Sequence, residues 1–137
     1  MRQIGKKAFS SCTGLTKIRL PNTIVLIADG AFEGCKNLSD INIPTKLATI
    51  GNNVFRSCES LTGTIYSEGR YLIDSNNQYK YFIGPEFEDT STEKTTINVH
   101  SKVRFIGSSA FQNYRYLQTI TIQDSVEDIG EFAFAGC

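Results

Sequence analysis

The sequence has one histidine, no C-x-x-C pair and no net charge, its fourteen basic residues balancing fourteen acidic ones. Charge balance removes the electrostatic footprint that nucleic acid or an anionic membrane surface would require, so neither is expected as a partner. No apolar run approaches the ~20 residues needed to span a bilayer, and the opening MRQIGKKAF lacks the apolar centre of a signal peptide. No membrane insertion by this segment is expected. His100 has no nucleophile or carboxylate placed around it by a motif, and its position just after a strand predicts a turn residue. The glycines form neither a P-loop nor a dinucleotide fingerprint, and Glu86, Glu88 and Asp89 lack calcium-loop spacing. No catalytic, cofactor-binding or metal-ligating residue is expected, and no enzymatic activity.

What is present is a period. Cys12, Cys35 and Cys58 recur at i, i+23 and i+46, and Phe9, Phe32 and Phe55 keep the same step. The next copies of the phenylalanine, Phe111 and Phe134, are again one such step apart, while the interval from Phe55 to Phe111 is more than two steps long. An insertion longer than one full unit therefore lies between them. The unit from Ile27 to Gly51 shows the pattern most fully, with Ile27, Ala31, Phe32, Cys35, Leu38, Ile41, Ile43, Pro44 and Leu47 before Ile50 restarts it. Equal spacing of cysteines at one repeat position predicts a column of small, reduced, buried side chains, not disulfides or zinc ligands. Cys137, at the chain end, is expected to be exposed. The pattern opens and closes within a repeat, at Ile4 and Cys137, as expected of a piece of a longer protein.

Neither a helical nor a strand period fits a whole unit, so each unit must change conformation within itself. The Leu-x-x-Ile-x-Ile/Leu part alternates as a short strand does, with Ile18 and Leu20, or Ile41 and Ile43, directed inward. Pro21 and Pro44 end that strand because proline has no amide to donate to a ladder. The Ile-Gly-x-x-Ala-Phe-x-x-Cys part, with its inward residues three to five apart, predicts a single 3₁₀ or α-helical turn, and the glycine after the isoleucine is assigned to a tight turn. One unit has too little apolar surface to offset its own conformational entropy, so the units must stack into a solenoid with parallel strands in register.

The combination of Leu-x-x-Ile-x-Ile-Pro, Ile-Gly and Ala-Phe-x-x-Cys, recurring at this fixed step, resembles the BspA-type leucine-rich repeat, a class found mainly in bacterial and protist surface proteins. The resemblance covers residues 4–66 and 97–137. It implies an α/β leucine-rich-repeat solenoid of short parallel strands and one-turn helices, a cell-surface or secreted location, an adhesion or protein-interaction role, and no catalysis. Residues 1–137 are expected to form one such domain. Three departures stand out: Leu61 is followed by Thr64 and Tyr66, so that the strand is more polar or shifts to use Ile65; His100 and Gln123 replace proline; and Tyr114 replaces cysteine, which requires its ring to swing outward or the turn to open.

Residues 67–96 interrupt the rhythm. GRYLI (69–73) and YKYFI (79–83) flank a turn-forming Asp-Ser-Asn-Asn-Gln and read as a β-hairpin, which Gly84 and Pro85 end. The segment after it, with Glu86, Phe87, Glu88, Asp89 and Glu93, reads as an exposed acidic loop. Two candidate partner-binding surfaces follow. One is a continuous outward strand face carrying Lys17, Arg19, Asp40, Asn42, Thr96, Asn98, Thr119 and Thr121 in adjacent rows. The other is the hairpin, whose Tyr71, Tyr79, Tyr81, Phe82 and Phe87 the repeat does not require; packing onto the solenoid competes for the same rings. Tyr79, Tyr81 and Ile83 are expected on one face, with Lys80 and Phe82 on the other. The expected partner is a host or cell-surface protein. The alternative is a self-associating structural segment that stacks end to end.

Overall fold

In the computed structural model of the chain, residues 2–86 and 94–137 are described. The chain winds as a β-solenoid, and its strands in order are β1 (Gln3–Ile4), β2 (Lys17–Ile18), β3 (Leu26–Ile27), β4 (Asp40–Ile41), β5 (Thr49–Ile50), β6 (Thr64–Tyr66), β7 (Gly69–Ile73), β8 (Tyr79–Pro85), β9 (Thr96–Asn98), β10 (Phe105–Ile106), β11 (Thr119–Thr121) and β12 (Asp128–Ile129). Each regular coil contributes two short strands. Those carrying the Ile-Gly isoleucine stack in parallel as β1-β3-β5, with Ile4 opposite Ile27 and Ile27 opposite Ile50. Those carrying the Leu-x-x-Ile segment pair as β2-β4 and as β9-β11. A register slip by a single position would turn these isoleucines out of the core, which is why the period is kept so strictly.

The expected helical turns are not formed: no helix occurs among the described residues. A spacing of three suits a 3₁₀ turn and a chain of β-turns equally, and the amide bonds show which is built. In the first coil Ala8, Ser10 and Cys12 donate backward within the coil, to the carbonyls of Gly5, Lys7 and Phe9. The amides between them, Lys7, Phe9 and Ser11, donate instead to the next coil, at Asp29, Ala31 and Glu33. A helix would direct all of these amides along one axis. Here the chain flips at Lys7 (φ 55°) and Ser11 (φ 61°), and the same two repeat positions are left-handed at Gly30 and Gly34, Asn53 and Ser57, Ser109 and Asn113, and Phe132 and Gly136. Alternate amides are thus freed to bond coil to coil, so the turn side is held by main-chain bonds much as a sheet is.

The core is divided between two clusters. The first is built around Phe32, Leu38, Ile43 and Leu47; the second around Tyr71, Phe82, Ile106 and Phe111. The rings of Phe9, Phe32 and Phe55 stack with centroids 5.1 and 5.9 Å apart. Cys35 and Cys58 are buried and reduced, and each donates its thiol to the carbonyl of the phenylalanine one coil back, Cys35 Sγ to Phe9 O at 3.0 Å and Cys58 Sγ to Phe32 O at 3.1 Å. Burial pushes the Cys58 thiol up to about 11. Cys137 follows the same rule with Phe111 O at 3.2 Å, although it is exposed, and Cys12 is exposed too. Tyr114 keeps the turn by standing half-buried and edge-on to Phe111. Gly51 is not left-handed, contrary to the tight-turn assignment; a Cβ there would lie 2.5 Å from Asp29 N, so the constraint is close approach of neighbouring coils.

The insertion starts earlier than the sequence pattern indicates. β6 leaves the stack and pairs antiparallel with β7, which pairs antiparallel with β8, giving a three-stranded meander where a two-stranded hairpin was expected. Ser67 and Glu68, both at positive φ, make the tight β6-β7 turn. The meander replaces a layer of the solenoid. Ile43 N donates to Ile73 O at its start, and β8 pairs in parallel with β10 at its end, Tyr81 opposite Phe105 and Phe82 opposite Ile106.

Candidate functional site

On the first strand patch, parallel pairing of Lys17 with Asp40 brings the charged candidates together. Asp40 Oδ2 lies 2.5 Å from Arg19 Nη2 and 3.1 Å from Lys17 Nζ. The hydrogen bond from Arg19, more than the lysine beside it, holds the Asp40 carboxyl below the usual carboxylate range and raises Arg19 in return. All three side chains are exposed, so the triad contributes little to stability and leaves two cations sharing one anion on the surface. Asn42 belongs to a different role. Its Oδ1 accepts from Leu20 N at 2.8 Å and its Nδ2 donates to Leu20 O at 3.0 Å, so the amide replaces a missing rung of main-chain bonding and is withdrawn from the partner surface.

Thr96, Asn98, Thr119 and Thr121 form the second patch, in register as Thr96 with Thr119 and Asn98 with Thr121, all exposed. The two patches do not make one continuous sheet: β2-β4 and β9-β11 are separate, and the meander lies between them. Where it meets the first patch a hollow of about 260 Å³ opens, lined by Arg19, Asp40, Asn42, Asp74 and Asn77. Asp74 is buried there because its Oδ1 accepts from Asn76 N and Gln78 N, an Asx turn that shapes the β7-β8 loop.

Most of the aromatic residues proposed for the hairpin surface are core residues. Tyr71, Tyr81 and Phe82 are buried because both faces of the meander are covered: Tyr81 and Phe82 alternate as expected, but Tyr81 packs into the first core cluster and Phe82, with Tyr71, into the second. Tyr79 is half-buried, and Phe87, Glu88, Asp89 and Glu93 lie outside the described residues. What reaches the surface instead is β6, with Ile65 55% and Tyr66 48% exposed. The Tyr66 ring meets Tyr79 at 5.2 Å and His100 at 5.1 Å, and Tyr79 meets His100 at 4.6 Å. His100 Nδ1 accepts from Lys102 N, fixing the turn, and burial lowers the pKa of its ring. Ile65, Tyr66 and His100 were not expected at a partner surface, since Ile65 and Tyr66 read as a variant repeat strand, His100 read as a turn residue, and the whole insertion separates them along the chain.

Arg104 binds the two halves together. Its Nε and Nη2 grip Glu127 at 2.7 and 2.6 Å, its Nη1 donates to Leu47 O at 2.6 Å, and its guanidinium lies 5.0 Å from the Phe105 ring centroid. Among the described residues there is no group of three His, Cys, Asp or Glu side chains able to hold a metal ion, and no helix long and apolar enough to cross a membrane.

A family model described as BspA type leucine rich repeat region matches residues 1–81 and 82–137, in six copies. No curated protein matches the chain. Among solved structures, a leucine-rich repeat protein of T. pallidum is similar at 24% identity and a TM-score of 0.56, over 98% of this chain and 48% of that one. A leucine-rich repeat protein of Bacteroides ovatus is similar at 21% identity and a TM-score of 0.45, over 99% and 45%. A leucine rich cell surface protein of Faecalibacterium prausnitzii is similar at 20% identity and a TM-score of 0.38, over 100% and 55%. The chain therefore spans about half the length of these structures.

Proposed function

We propose that this chain, which belongs to the BspA-type leucine-rich repeat family, is a non-enzymatic protein-interaction module of a cell-surface or secreted protein, with a host or cell-surface protein as its partner. The observation that carries the reading is the exposed Ile65 and Tyr66 on β6, backed by Tyr79 and His100. The stack buries Tyr71, Tyr81 and Phe82, whereas Ile65 and Tyr66 keep about half of their surface exposed, and a rigid aromatic side chain beside an aliphatic one suits the centre of a protein interface. The Lys17-Arg19-Asp40 triad and the Thr96, Asn98, Thr119 and Thr121 rows supply polar surroundings of the kind found at an interface rim. The test is binding of the purified chain to a panel of cell-surface and extracellular-matrix proteins by biolayer interferometry. Binding that Ile65→Ser with Tyr66→Ala weakens at least tenfold supports the reading. Binding to none of the panel, or binding indifferent to these and to the strand-face variants Lys17→Ala with Arg19→Ala and Thr119→Ala with Thr121→Ala, counts against it.

A second reading, end-to-end self-association, rests on Ile129 and Phe132, both exposed on the last turn. Sedimentation velocity over a hundredfold concentration range separates the two: oligomers abolished by Phe132→Asp favour assembly, and a monomer throughout argues against it.

A further inference from the structure

One step of the stack lacks the bonds that join the turn sides elsewhere. Phe32 N and Gly34 N donate to Val54 O and Arg56 O at 3.0 and 2.8 Å, and Phe111 N and Asn113 N donate to Ala133 O and Ala135 O at 2.7 and 2.8 Å. The equivalent donors of the third coil are Phe55 N and Ser57 N, and the equivalent acceptors of the fourth are Ala110 O and Gln112 O; among the described residues none of these four makes a coil-to-coil main-chain bond. The cause lies in the meander. It supplies strands for this layer, joined at Ile43 to Ile73 and at β8 to β10, but β7 and β8 are linked by the short Asp-Ser-Asn-Asn-Gln loop and bring no turn segment with them. A cleft of about 310 Å³ opens there, lined by Asn53, Phe55, Arg56, Tyr81, Ile83 and Gln112. Its volume is at the lower end for ligand sites, about 300–1,000 Å³. At one corner it is closed by Asn53 N donating to Ser108 Oγ at 2.9 Å.

We propose that this cleft binds a short main-chain segment of the partner protein as a substitute turn, four positions long, small at its second position, acidic at its third and glycine at its fourth. The proposal rests on the protein-interaction reading and assigns it a second, separate site. Main chain is the matching chemistry because one wall presents the amides of Phe55 and Ser57 and the other the carbonyl of Gln112, Ala110 O being covered by Gly84; these are positions that Ala31–Gly34 bridges in the regular stack, where Ala31 O and Glu33 O accept from one side and Gly34 N donates to the other. A small second residue is required because the ring space is already taken. Phe82 stacks on Phe111 at 4.9 Å, and Tyr81 meets Phe55 edge-on at 5.4 Å. An acidic third residue follows from the charge sequence along the turn side, where Glu33 lies 3.9 Å from Lys7 and 4.0 Å from Arg56, so that an acid in the next layer meets the outer side of Arg56. Glycine suits the fourth position, which is left-handed in every described regular coil.

The test uses the whole chain, labelled with ¹⁵N, titrated to millimolar acetyl-Ala-Ala-Glu-Gly-amide. The expected result is saturable shifts at the amides of Phe55 and Ser57, at least threefold weaker binding of the Ala-Ala-Lys-Gly peptide, and loss of both shifts in Gln112→Trp, which blocks the mouth. Arg56→Glu, at an exposed position that need not disturb folding, is expected to reverse the preference between the two peptides. Silence at Phe55 and Ser57, shifts confined to Phe134 and Gly136 on the open last turn, or equal response to both peptides would overturn the proposal. A silent cleft together with partner binding that depends on Ile65 and Tyr66 would end this inference and leave the surface reading standing.

Discussion

The ring of Phe82 stacks on that of Phe111 with centroids 4.9 Å apart and planes inclined by 17°, so a meander strand supplies the aromatic ring that the missing turn would have carried. Phe111 stacks in turn on Phe134 at 5.2 Å. The solenoid has two columns of three rings, Phe9-Phe32-Phe55 and Phe82-Phe111-Phe134, and Tyr81 joins them edge-on at Phe55. Phe82 is fully buried, and Phe82→Ala is expected to cost about 3–5 kcal/mol in urea denaturation, the range for a large aromatic removed from a core. A cost below about 1 kcal/mol would mean that the columns are not joined through the meander.

The left-handed positions differ in how well their residues suit them. Gly30 (φ 60°) and Lys7 (φ 55°) occupy the same repeat position, and only glycine does so without steric cost. Lys7→Gly is expected to stabilise by about 1 kcal/mol despite loss of the exposed Lys7-Glu33 contact, since such pairs contribute little. Gly30→Ala should destabilise by about 1–2 kcal/mol, its new Cβ meeting Glu33 Oε2 at 3.1 Å in a strained backbone. Denaturation midpoints of the two variants check both signs.

Acid should loosen the junction held by Arg104. The Glu127 carboxyl is held below its ordinary value by the hydrogen bonds from Arg104, so the folded state binds its proton later than the unfolded state does. The stabilisation is therefore complete above the unfolded value of 4.5 and fades as pH falls through the lower folded value. Asp40 behaves in the same way, from 3.8 downward. Both carboxylates are largely exposed, so each effect amounts to a few tenths of a kcal/mol, up to about 1. Glu127→Gln is expected to flatten the acid limb of stability measured between pH 3 and 7, and an unchanged limb would show that the pair is not coupled to folding.

Thiol reactivity should divide the cysteines in two. Cys35 and Cys58 are buried with thiols pushed above their ordinary value, while Cys12 and Cys137 are exposed. Labelling of the native chain by a thiol-specific disulfide reagent at pH 8 is expected to modify two cysteines quickly and the other two only on unfolding. Fast labelling of all four would contradict the buried column.

The period, the isoleucine rows and the first phenylalanine column were legible because stacking forces identical side chains to recur once in every coil. The conformation of the turn was not, since a spacing of three is shared by 3₁₀ helices and successive β-turns, and only the destination of alternate amides tells them apart. Asn42 looked like surface because an outward strand position is normally solvated; its amide is consumed by Leu20 one coil back. The burial of both Tyr81 and Phe82 was hidden because an inserted hairpin normally has one solvated face, whereas here each face meets its own core cluster, and the start of the meander was hidden by Ser67 and Glu68, which lack the asparagine or glycine that usually marks so tight a turn. The contact of Tyr66 with His100 is purely tertiary.

The central claim is that the meander replaces one layer of the solenoid on its strand side and leaves the turn side of that layer open. Native-state hydrogen exchange tests it at single amides. Phe32 and Gly34, bonded to the next coil, should be protected, whereas Phe55 and Ser57 at the same repeat positions should exchange at least a hundredfold faster under identical conditions. Equal protection at all four would show the third and fourth coils bonded like the rest and would contradict the account.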